Sequence, residues 1–390
     1  MPVGPGPVPG ERVSNWKAFT MPTTQSFHIA VMPGDGIATE IMPPCLDLLQ
    51  AAMARVGGFA LDFEHVPAGA QHYLDTGDAF PKSSRERARA ADAILLGAMG
   101  LPSVRYQDGT EIVPQLELRF DLGLYAGVRP MRAIPGVRPV LADPRATDID
   151  FVLIRESTEG LFASYGKGVV TDDSASETMV ITRGVSQRLF DFSFALARRR
   201  KAKGSPGRVT CVDKANIFSA FAFFRGIFNE RARLNPDIAA DSAYVDAMAL
   251  SMVQKPWDYD VMVTENMFGD ILSDLGAALI GGMGMAPSAD IGDDHAVFQP
   301  CHGSAPDIMG TGKANPTAMI LSAAMMLDWL GDRHGVPEAV RAGQLLSDAV
   351  DRAFEAGTLV TCELGGTDGT EAVATAVRRA LDDLPVPEVA

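Results

Sequence analysis

The stretch DVMVTENMFGDILSDLG, residues 260–276, joins two kinds of local pattern. Its first part, residues 261–263, is an unbroken apolar run typical of a buried strand, whereas its second part spaces apolar residues three and four apart, as an amphipathic helix does. The same succession from a strand-like run to a helical pattern occurs at FHIAVM (27–32), ADAILLGAMG (91–100), DFVLIR (150–155) and RVTCVD (208–213). Strands that alternate with helices predict an α/β fold with much parallel sheet.

The composition limits the range of partners. The 390 residues are 47% hydrophobic and 21% charged, which suffices for a folded core, and the formal net charge is −15. Such an acidic chain lacks the basic surface that a nucleic acid requires, and it has no apolar run long enough to cross a membrane. The Pro- and Gly-rich residues 1–26 predict a flexible N-terminal arm rather than a signal peptide. Four scattered cysteines without a CxxC pair are typical of a reduced, cytoplasmic protein.

Three aspartates are candidate ligands of a hard divalent cation. Asp270 and Asp274 stand four residues apart and so share one helix face, and Asp246 lies on another helical pattern. Mg²⁺ and Mn²⁺ prefer carboxylate oxygens, whereas the alternative for such a pair is a solvated acidic face. The apolar neighbours of the pair predict that its face adjoins buried surface, which favours the cation: Met267, Phe268, Ile271, Leu272 and Leu275.

Cationic side chains stand near the ends of predicted elements. Arg119 lies on a helical pattern, Arg129 precedes a proline, and Arg155 ends the 150–155 strand. Together they could bind the carboxylates of a small acid through bidentate forks, although each taken singly suits a surface salt bridge. Lys214 follows the 208–213 strand and could act as a proton acceptor in a closed cleft, or could simply pair with its neighbour Asp213.

A loop of small residues, CHGSAPDIMGTGKANPTA at 301–318, would allow a cofactor to approach the backbone closely. It contains GTGKA, but it lacks the spacing of a phosphate-binding P-loop and the following serine or threonine. Taken alone, His302 also suits a core histidine and Asp307 a turn residue.

Seven segments, in this order and spacing, resemble the β-decarboxylating dehydrogenases, which include the 3-isopropylmalate, isocitrate, homoisocitrate and tartrate/D-malate dehydrogenases: VMPGDGI, LELRFDLGLYAGVRP, LIREST, VDKAN, YVDAMA, NMFGDILSDLGAAL and HGSAPDIMGTGKANPTA. The resemblance implies the isopropylmalate dehydrogenase-like fold rather than a Rossmann domain of the GxGxxG kind. A large, discontinuous α/β domain that binds NAD would be formed by residues 27–125 and 280–390. A smaller inserted domain, residues 126–279, would bind substrate and build a homodimer whose subunits share their active sites.

The resemblance also implies roles for individual residues. Arg119, Arg129 and Arg155 would bind the malate carboxylates, and Asp270 and Asp274 would hold Mg²⁺ or Mn²⁺ together with Asp246 of the second subunit. Lys214, also of the second subunit, would be the general base. The NAD site would be formed by Asn216, His302, Gly303, Ser304, Ala305, Asp307 and Asn315.

The implied reaction transfers a hydride from C2 of a 3-substituted (2R)-malate to NAD⁺ and then releases the β-carboxylate as CO₂. Asp307 stands where NAD-dependent members carry an aspartate for the adenosine ribose, so NAD⁺ is predicted rather than NADP⁺. In the segment before the first arginine, Ile112, Gln115 and Leu116 match neither the isopropylmalate nor the isocitrate pattern. Gln115 is therefore a candidate contact of the C3 substituent, for which a small or hydroxylated group and a larger polar one both remain open.

Phe162 departs from the family pattern, because members carry a tyrosine there that helps to protonate the enolate carbon. Either Tyr165 replaces it, or an ordered water does, or the decarboxylation half of the reaction is weak. We expect that Tyr165 is a catalytic residue. Two other functions are compatible with the sequence: hydroxy-acid oxidation without efficient decarboxylation, and a non-catalytic family member that binds NAD or another ligand.

Overall fold

The computed structural model describes residues 25–387. Its twelve strands are β1 (Gln25–Met32), β2 (Phe59–His65), β3 (Ala93–Leu96), β4 (Ala126–Arg132), β5 (Asp150–Glu156), β6 (Val169–Val170), β7 (Ala175–Ser176), β8 (Arg208–Asp213), β9 (Ala239–Tyr244), β10 (Val261–Thr264), β11 (Pro287–Ile291) and β12 (Ala296–Pro300). Most of the predicted arm, residues 1–26, lies outside the described part, and its last two residues begin β1.

Helices separate most of these strands, as the alternating sequence pattern predicts. The described residues form α1 (Ala38–Val56), α2 (Ala70–Thr76), α3 (Lys82–Ala90), α4 (Pro114–Leu122), α5 (Arg183–Ala202), α6 (Ser219–Leu234), α7 (Val245–Gln254), α8 (Asn266–Leu279), α9 (Thr317–His334), α10 (Pro337–Phe354) and α11 (Thr370–Asp383). None of the helices in residues 25–387 is long and apolar enough to cross a membrane.

Ten strands form one sheet in the order β2-β1-β3-β12-β11-β4-β5-β10-β8-β9, and β6 and β7 form a separate ribbon. The pairings are parallel at both ends of the sheet and antiparallel only between β12, β11, β4 and β5. Strands from the two chain ends therefore occupy one end of the sheet, and strands from the middle of the chain occupy the other. The predicted α/β fold with much parallel sheet is confirmed, and the antiparallel centre is where the two groups of strands meet.

The packing of the helices follows from the two-sided burial of the sheet. Strands such as β3 and β10 are buried along their whole length, so their apolar side chains contact helices on both faces. Helices α1, α9, α10 and α11 pack around the first end, and α5 and α6 pack together at the other. The antiparallel centre leaves the ends of β4 and β5 beside α4 and α8, which carry candidate site residues.

Candidate active site

The three predicted arginines come together at the centre of the sheet. Arg129 lies on β4, Arg155 on the neighbouring β5, and Arg119 on α4, and all three are buried. Buried guanidinium groups need hydrogen-bonding partners, because burial of an unpaired charge is costly. The isolated surface salt bridges that were the alternative for each arginine are therefore excluded.

A buried aspartate, Asp290 on β11, joins the arginines and was not found from the sequence. Its carboxylate accepts hydrogen bonds from Nε of Arg119 (3.0 Å) and Nε2 of Gln299 (2.6 Å), and it lies 3.9 Å from Nη2 of Arg129. Burial alone would raise the pKa of Asp290, but the positive charges of the arginines outweigh burial and lower it. Asp290 is therefore the fixed anion of a cationic cluster.

Arg155 links this cluster to α8. Its Nε donates to the carbonyl oxygen of Asn266 at 3.0 Å, and Nη1 pairs with Asp270. A Cβ at Gly269 would lie 2.6 Å from Cγ of Arg155, so the glycine allows the arginine stem to pass beneath the helix. Burial and the neighbouring arginines lower the pKa of Arg155 to about 10, although Asp270 favours its charged form.

Asp270 and Asp274 share one exposed face of α8, as predicted. Burial, and then the charge of Asp270, raises the pKa of Asp274. Two carboxylates that repel each other in this way suit a hard divalent cation, so the donor set fits the predicted ion. Within residues 25–387, however, no three His, Cys, Asp or Glu side chains cluster as metal ligands.

The third predicted ligand lies elsewhere in the same chain. Asp246, at the start of α7, accepts a hydrogen bond of 2.5 Å from Nζ of Lys214, and this contact lowers the pKa of Asp246. The alternative pairing of Lys214 with Asp213 is wrong, because Asp213 is buried and accepts both arms of Arg225 at 2.7 and 2.8 Å. The predicted base and the third ligand thus form one exposed pair.

Exposed apolar side chains occur on the elements that carry this pair and on α8, and we call them the apolar face. They lie just before α6, at the end of β9, on α7 and on α8: Ile217, Phe218, Tyr244, Leu250, Val253, Met267 and Ile271. The expectation that Met267 and Ile271 lie against buried surface is therefore wrong for the single chain, although Leu272 is buried. An exposed apolar patch of this kind marks a contact surface.

Two buried polar atoms near the arginine cluster find no hydrogen-bond partner among residues 25–387: Oε1 of Gln115 and Nε of Arg129. Unpaired buried polar atoms are costly, and they are the atoms that a polar ligand could satisfy. Ile112, by contrast, is fully buried in a small cluster with Ala70, Ala79 and Val104. Ile112 is therefore a core residue, and it precedes α4, which begins only at Pro114.

Phe162 packs edge-to-face on Phe120, the residue after Arg119, with ring centroids 5.9 Å apart. Its ring is therefore held against α4, the helix that carries Arg119. Tyr165, the predicted substitute for the family tyrosine, is 51% exposed, and its hydroxyl forms no hydrogen bond with a described residue. The carboxylates of Asp270 and Asp274 are not in hydrogen-bond contact with it either.

The predicted cofactor loop is held by the turn that follows β1. Ser304 donates to the carbonyl oxygen of Gly100 (2.5 Å) and its own carbonyl accepts from the amide of Ile37 (2.8 Å). A Cβ at Gly36 would lie 2.0 Å from that Ser304 oxygen, so only glycine permits the close approach. Ala305 has a φ of 36°, in the left-handed region that non-glycine residues seldom adopt, and such strain is typical of ligand-binding loops.

The remaining predicted cofactor residues differ in their surroundings. His302 directs Nδ1 to the Gly303 carbonyl oxygen at 2.9 Å, while its buried Nε2 finds no partner within residues 25–387, and burial lowers its pKa. Asp307 and Asn216 are exposed. Asn315 is buried and uses its amide internally, with Nδ2 2.6 Å from Glu363 and Oδ1 accepting from Thr317. The loop therefore has an imidazole nitrogen without a hydrogen-bond partner among residues 25–387 and an exposed carboxylate at Asp307. Both groups could form hydrogen bonds with a dinucleotide.

The α/β fold and the buried arginine cluster are typical of an enzyme that binds a small anionic molecule. Comparison with known proteins supports this interpretation. Residues 28–377 match the family model described as isocitrate/isopropylmalate dehydrogenase. The 3-isopropylmalate/3-methylmalate dehydrogenase of Methanocaldococcus jannaschii is 40% identical over 358 residues, covering 90% of this chain and 98% of that protein. The 3-isopropylmalate dehydrogenase of Methanothermobacter thermautotrophicus is 38% identical, with coverage of 92% and 100%.

The solved structures lead to the same family. The crystal structure of isocitrate dehydrogenase from Methylococcus capsulatus superimposes with a TM-score of 0.78 at 35% identity, covering 91% of this chain and 99% of that one. The chain belongs to the isocitrate/isopropylmalate dehydrogenase family, and it has the fold of that family. It is an enzyme of the decarboxylating dehydrogenase type.

Proposed function

We propose that the protein oxidises and decarboxylates a 3-substituted (2R)-malate, with NAD⁺ as the hydride acceptor and Mg²⁺ or Mn²⁺ as the bound cation. The observation that carries this proposal is the contact between the arginine cluster and the carboxylate pair, made through Arg155 and Asp270. The arrangement suits a hydroxy acid whose carboxylates bind arginine while its hydroxyl approaches a cation. Membership of the family supports the reaction type.

Two sets of residues would hold the cation and the nucleotide. Asp270 and Asp274 of one chain would bind the cation together with the partner subunit's Asp246. The nucleotide would lie on the loop from His302 to Asn315, with Asp307 at its ribose. When bound, the cation would lower the pKa of the substrate hydroxyl, and NAD⁺ would accept the hydride from C2.

The side chains of the protein would then guide two proton transfers. The partner subunit's Lys214 accepts the hydroxyl proton while C2 loses its hydride and becomes a ketone. Cleavage of the C3–C4 bond releases CO₂ and leaves its electron pair in an enolate, and a proton from the Tyr165 hydroxyl or from water at C3 converts the enolate to the product. Throughout, Arg119, Arg129 and Arg155 hold the carboxylates in a fixed position, so little reorganisation is needed.

A homodimer with shared active sites is part of the proposal. Lys214 pairs with Asp246, and within residues 25–387 Asp246 forms no three-ligand cluster with Asp270 and Asp274. A second copy of the chain that covered the apolar face would bury its exposed side chains and could bring Lys214 and Asp246 to the carboxylate pair of its partner. Symmetric dimers commonly bury such self-complementary surfaces.

A second function is favoured by the aromatic contact of Phe162. Phenylalanine cannot donate a proton, so an enolate that stays unprotonated could recapture CO₂. If Tyr165 does not replace the family tyrosine, the chain could therefore oxidise its substrate without efficient decarboxylation. We expect Tyr165→Phe to lower kcat about tenfold or more if its hydroxyl supplies the proton. An unchanged kcat would remove Tyr165 from the mechanism, and Phe162→Tyr would then be expected to raise the yield of CO₂ for each NADH.

The proposed function can be tested by measuring NADH and CO₂ together. The purified protein with Mn²⁺ would be assayed with D-malate, tartrate, 3-methylmalate and 3-isopropylmalate. These substrates differ in the C3 substituent, which the residue at Gln115 does not identify. Equal amounts of NADH and CO₂ support the proposal, and NADH in excess of CO₂ supports simple oxidation. Nucleotide binding without turnover of any substrate would instead indicate a non-catalytic member of the family.

The choice of nucleotide is tested separately. The carboxylate of Asp307 would accept hydrogen bonds from ribose hydroxyls and would repel a 2′-phosphate. We therefore expect a higher kcat/KM with NAD⁺ than with NADP⁺, and Asp307→Asn should reduce this preference. A higher kcat/KM of the unmodified protein with NADP⁺ would contradict the role given to Asp307.

A further inference from the structure

We propose that Asp290 selects a substrate with two carboxylates and an uncharged C3 substituent over one with three carboxylates. This proposal rests on the proposed function and narrows it, since isocitrate is itself a malate with a carboxylate-bearing C3 substituent. The likenesses described above include both isopropylmalate and isocitrate dehydrogenases, so they leave this choice open.

The strand register places Asp290 in the same row of the sheet as Arg155, across Gly127 of β4. Asp290 of β11 is paired with Gly127 of β4, and Gly127 is paired with Arg155 of β5. Directly paired residues lie on the same face of a sheet, so the three positions form one row. A Cβ at Gly127 would lie 3.2 Å from Oδ1 of Asp290 and 2.7 Å from Oγ of Ser157, so the glycine leaves the space that the carboxylate uses.

Asp290 lies too deep to contact the substrate itself. Its side chain is 1% exposed, and its oxygens accept hydrogen bonds from Arg119, Gln299 and Ser157. Because Asp290 holds Nε of Arg119, only the outer nitrogens of that guanidinium remain for a ligand. Asp290 is thus a positioning residue, and its negative charge acts on the ligand through space.

The charge of the cluster determines which anion it suits. Asp270 and Asp274 would be offset by the divalent cation that the proposed function places on them. The three arginines and Asp290 then leave a net charge of about two, which matches the two carboxylates of a malate with an uncharged C3 substituent. A third carboxylate would lack a positive partner and would also be repelled by Asp290. One unit charge at a distance of roughly 8 Å changes affinity about thirtyfold at an effective dielectric constant of about 20, and screening by solvent and salt reduces this toward tenfold.

The test compares Asp290→Asn with the unmodified protein. Dissociation constants for malate and for tricarballylate, a tricarboxylate, would be measured by titration calorimetry with Mn²⁺ present. We expect the variant to bind malate more weakly and to shift the ratio of the two affinities toward tricarballylate by about tenfold. Asp290→Ser, which is smaller and also neutral, should show the same shift if the asparagine variant does not fold.

Asp260 provides a matched control. It is equally buried and pairs with Arg200 at 2.6 Å, at the opposite end of β10 from the arginine cluster. Asp260→Asn should lower the thermal stability and leave the affinity ratio unchanged. The proposal is overturned if the Asp290 variants lose both ligands equally, or keep the ratio within about twofold of the unmodified protein. The measured quantity is binding, so this test is separate from activity. A protein that binds malate and tricarballylate but oxidises no malate derivative would contradict the proposed function and leave the role of Asp290 in selectivity intact.

Discussion

The two ends of the candidate site differ in how far a single chain completes them. At the arginine end, Arg119, Arg129 and Arg155 are buried. Asp290 accepts a hydrogen bond from Arg119 and lies 3.9 Å from Arg129, and Asn266 and Asp270 pair with Arg155. At the lysine end, Lys214 and Asp246 pair with each other, among the elements that carry the apolar face. The arginine end is therefore organised by the fold of one chain. The lysine end would be completed by the partner subunit of the proposed dimer.

This difference follows from the energetics of burial. Buried charges are tolerated only where partners are fixed, so the arginines require the sheet register and Asp290 before any ligand binds. The carboxylates Asp270 and Asp274 are exposed, so solvent and salt weaken their mutual repulsion. In the proposed function, a bound cation would offset it. The comparison predicts that a change at the arginine end lowers the activity of the site in the same chain. A change at the lysine end should lower the activity of the site in the partner chain.

The largest effect is expected at the arginine end. Arg155→Lys keeps the charge but loses the fork that contacts Asn266 and Asp270, so kcat/KM should fall on the order of a thousandfold. Arg132→Lys is the control, because Arg132 is a forked arginine at the end of β4 that binds Asp351 outside the site. It should change kcat/KM by no more than about threefold. Similar losses in the two variants would mean that the arginines act only through stability.

The lysine end should show complementation between subunits. Lys214→Ala and Asp270→Asn should each lower the kcat of the homodimer at least about a hundredfold. In a heterodimer of the two variants, one active site would carry both changes and the other neither. Purified heterodimers should therefore have about half of the unmodified activity. Inactive heterodimers would show that each chain builds its active site alone.

A change on the apolar face should act through association. Leu250→Arg places a charge in the proposed dimer contact, so we expect monomers by light scattering and a loss of activity of at least about tenfold. Leu74→Arg is a matched control, since Leu74 on α2 is 59% exposed, against 58% for Leu250, and lies outside the apolar face. Monomers with full activity, or a monomeric Leu74 variant, would contradict this role of the face.

The fold could be predicted because its signals are local. Each buried strand is a short apolar run, and turns such as the one at Gly34 and Gly36 are marked by the residues themselves. The ends of β4 and β5 likewise located Arg129 and Arg155. The antiparallel centre of the sheet was not predicted, since strand order depends on contacts between distant segments.

Several features of the site depend on such distant contacts. Asp290 lies in the short strand β11, which has no charged residue besides it, and the pairing of β11 with β4 brings it to the arginines. Asp213 and Lys214 are neighbours in sequence, but the carboxylate of Asp213 is buried against Arg225 while Lys214 reaches Asp246. Sequence proximity therefore suggested the wrong partner for the lysine.

The smallest effect concerns stability at the end of β5. Burial raises the pKa of Glu156 to about 7, and three hydrogen bonds from Thr158 and Glu159 keep it from rising further. The folded protein therefore binds this proton more tightly than the unfolded chain, whose glutamate titrates near pH 4.5. The resulting stability is fully present below about pH 4.5 and is lost as the pH rises through 7, by an amount on the order of 3–4 kcal/mol at most.

Glu156→Gln should remove this pH dependence. The Tm of the variant, relative to that of the unmodified protein, should rise between pH 5 and pH 7.5, because only the unmodified protein must bury a charge as the glutamate ionises. Asp143→Asn is the control, since a hydrogen bond from Arg145 lowers the pKa of Asp143 to about 2 and its contribution is lost only as the pH falls far below this range. Its Tm difference should stay constant over the same range. If the Glu156 difference were also constant, Glu156 would be ionised throughout, and its three hydrogen bonds would outweigh the effect of burial.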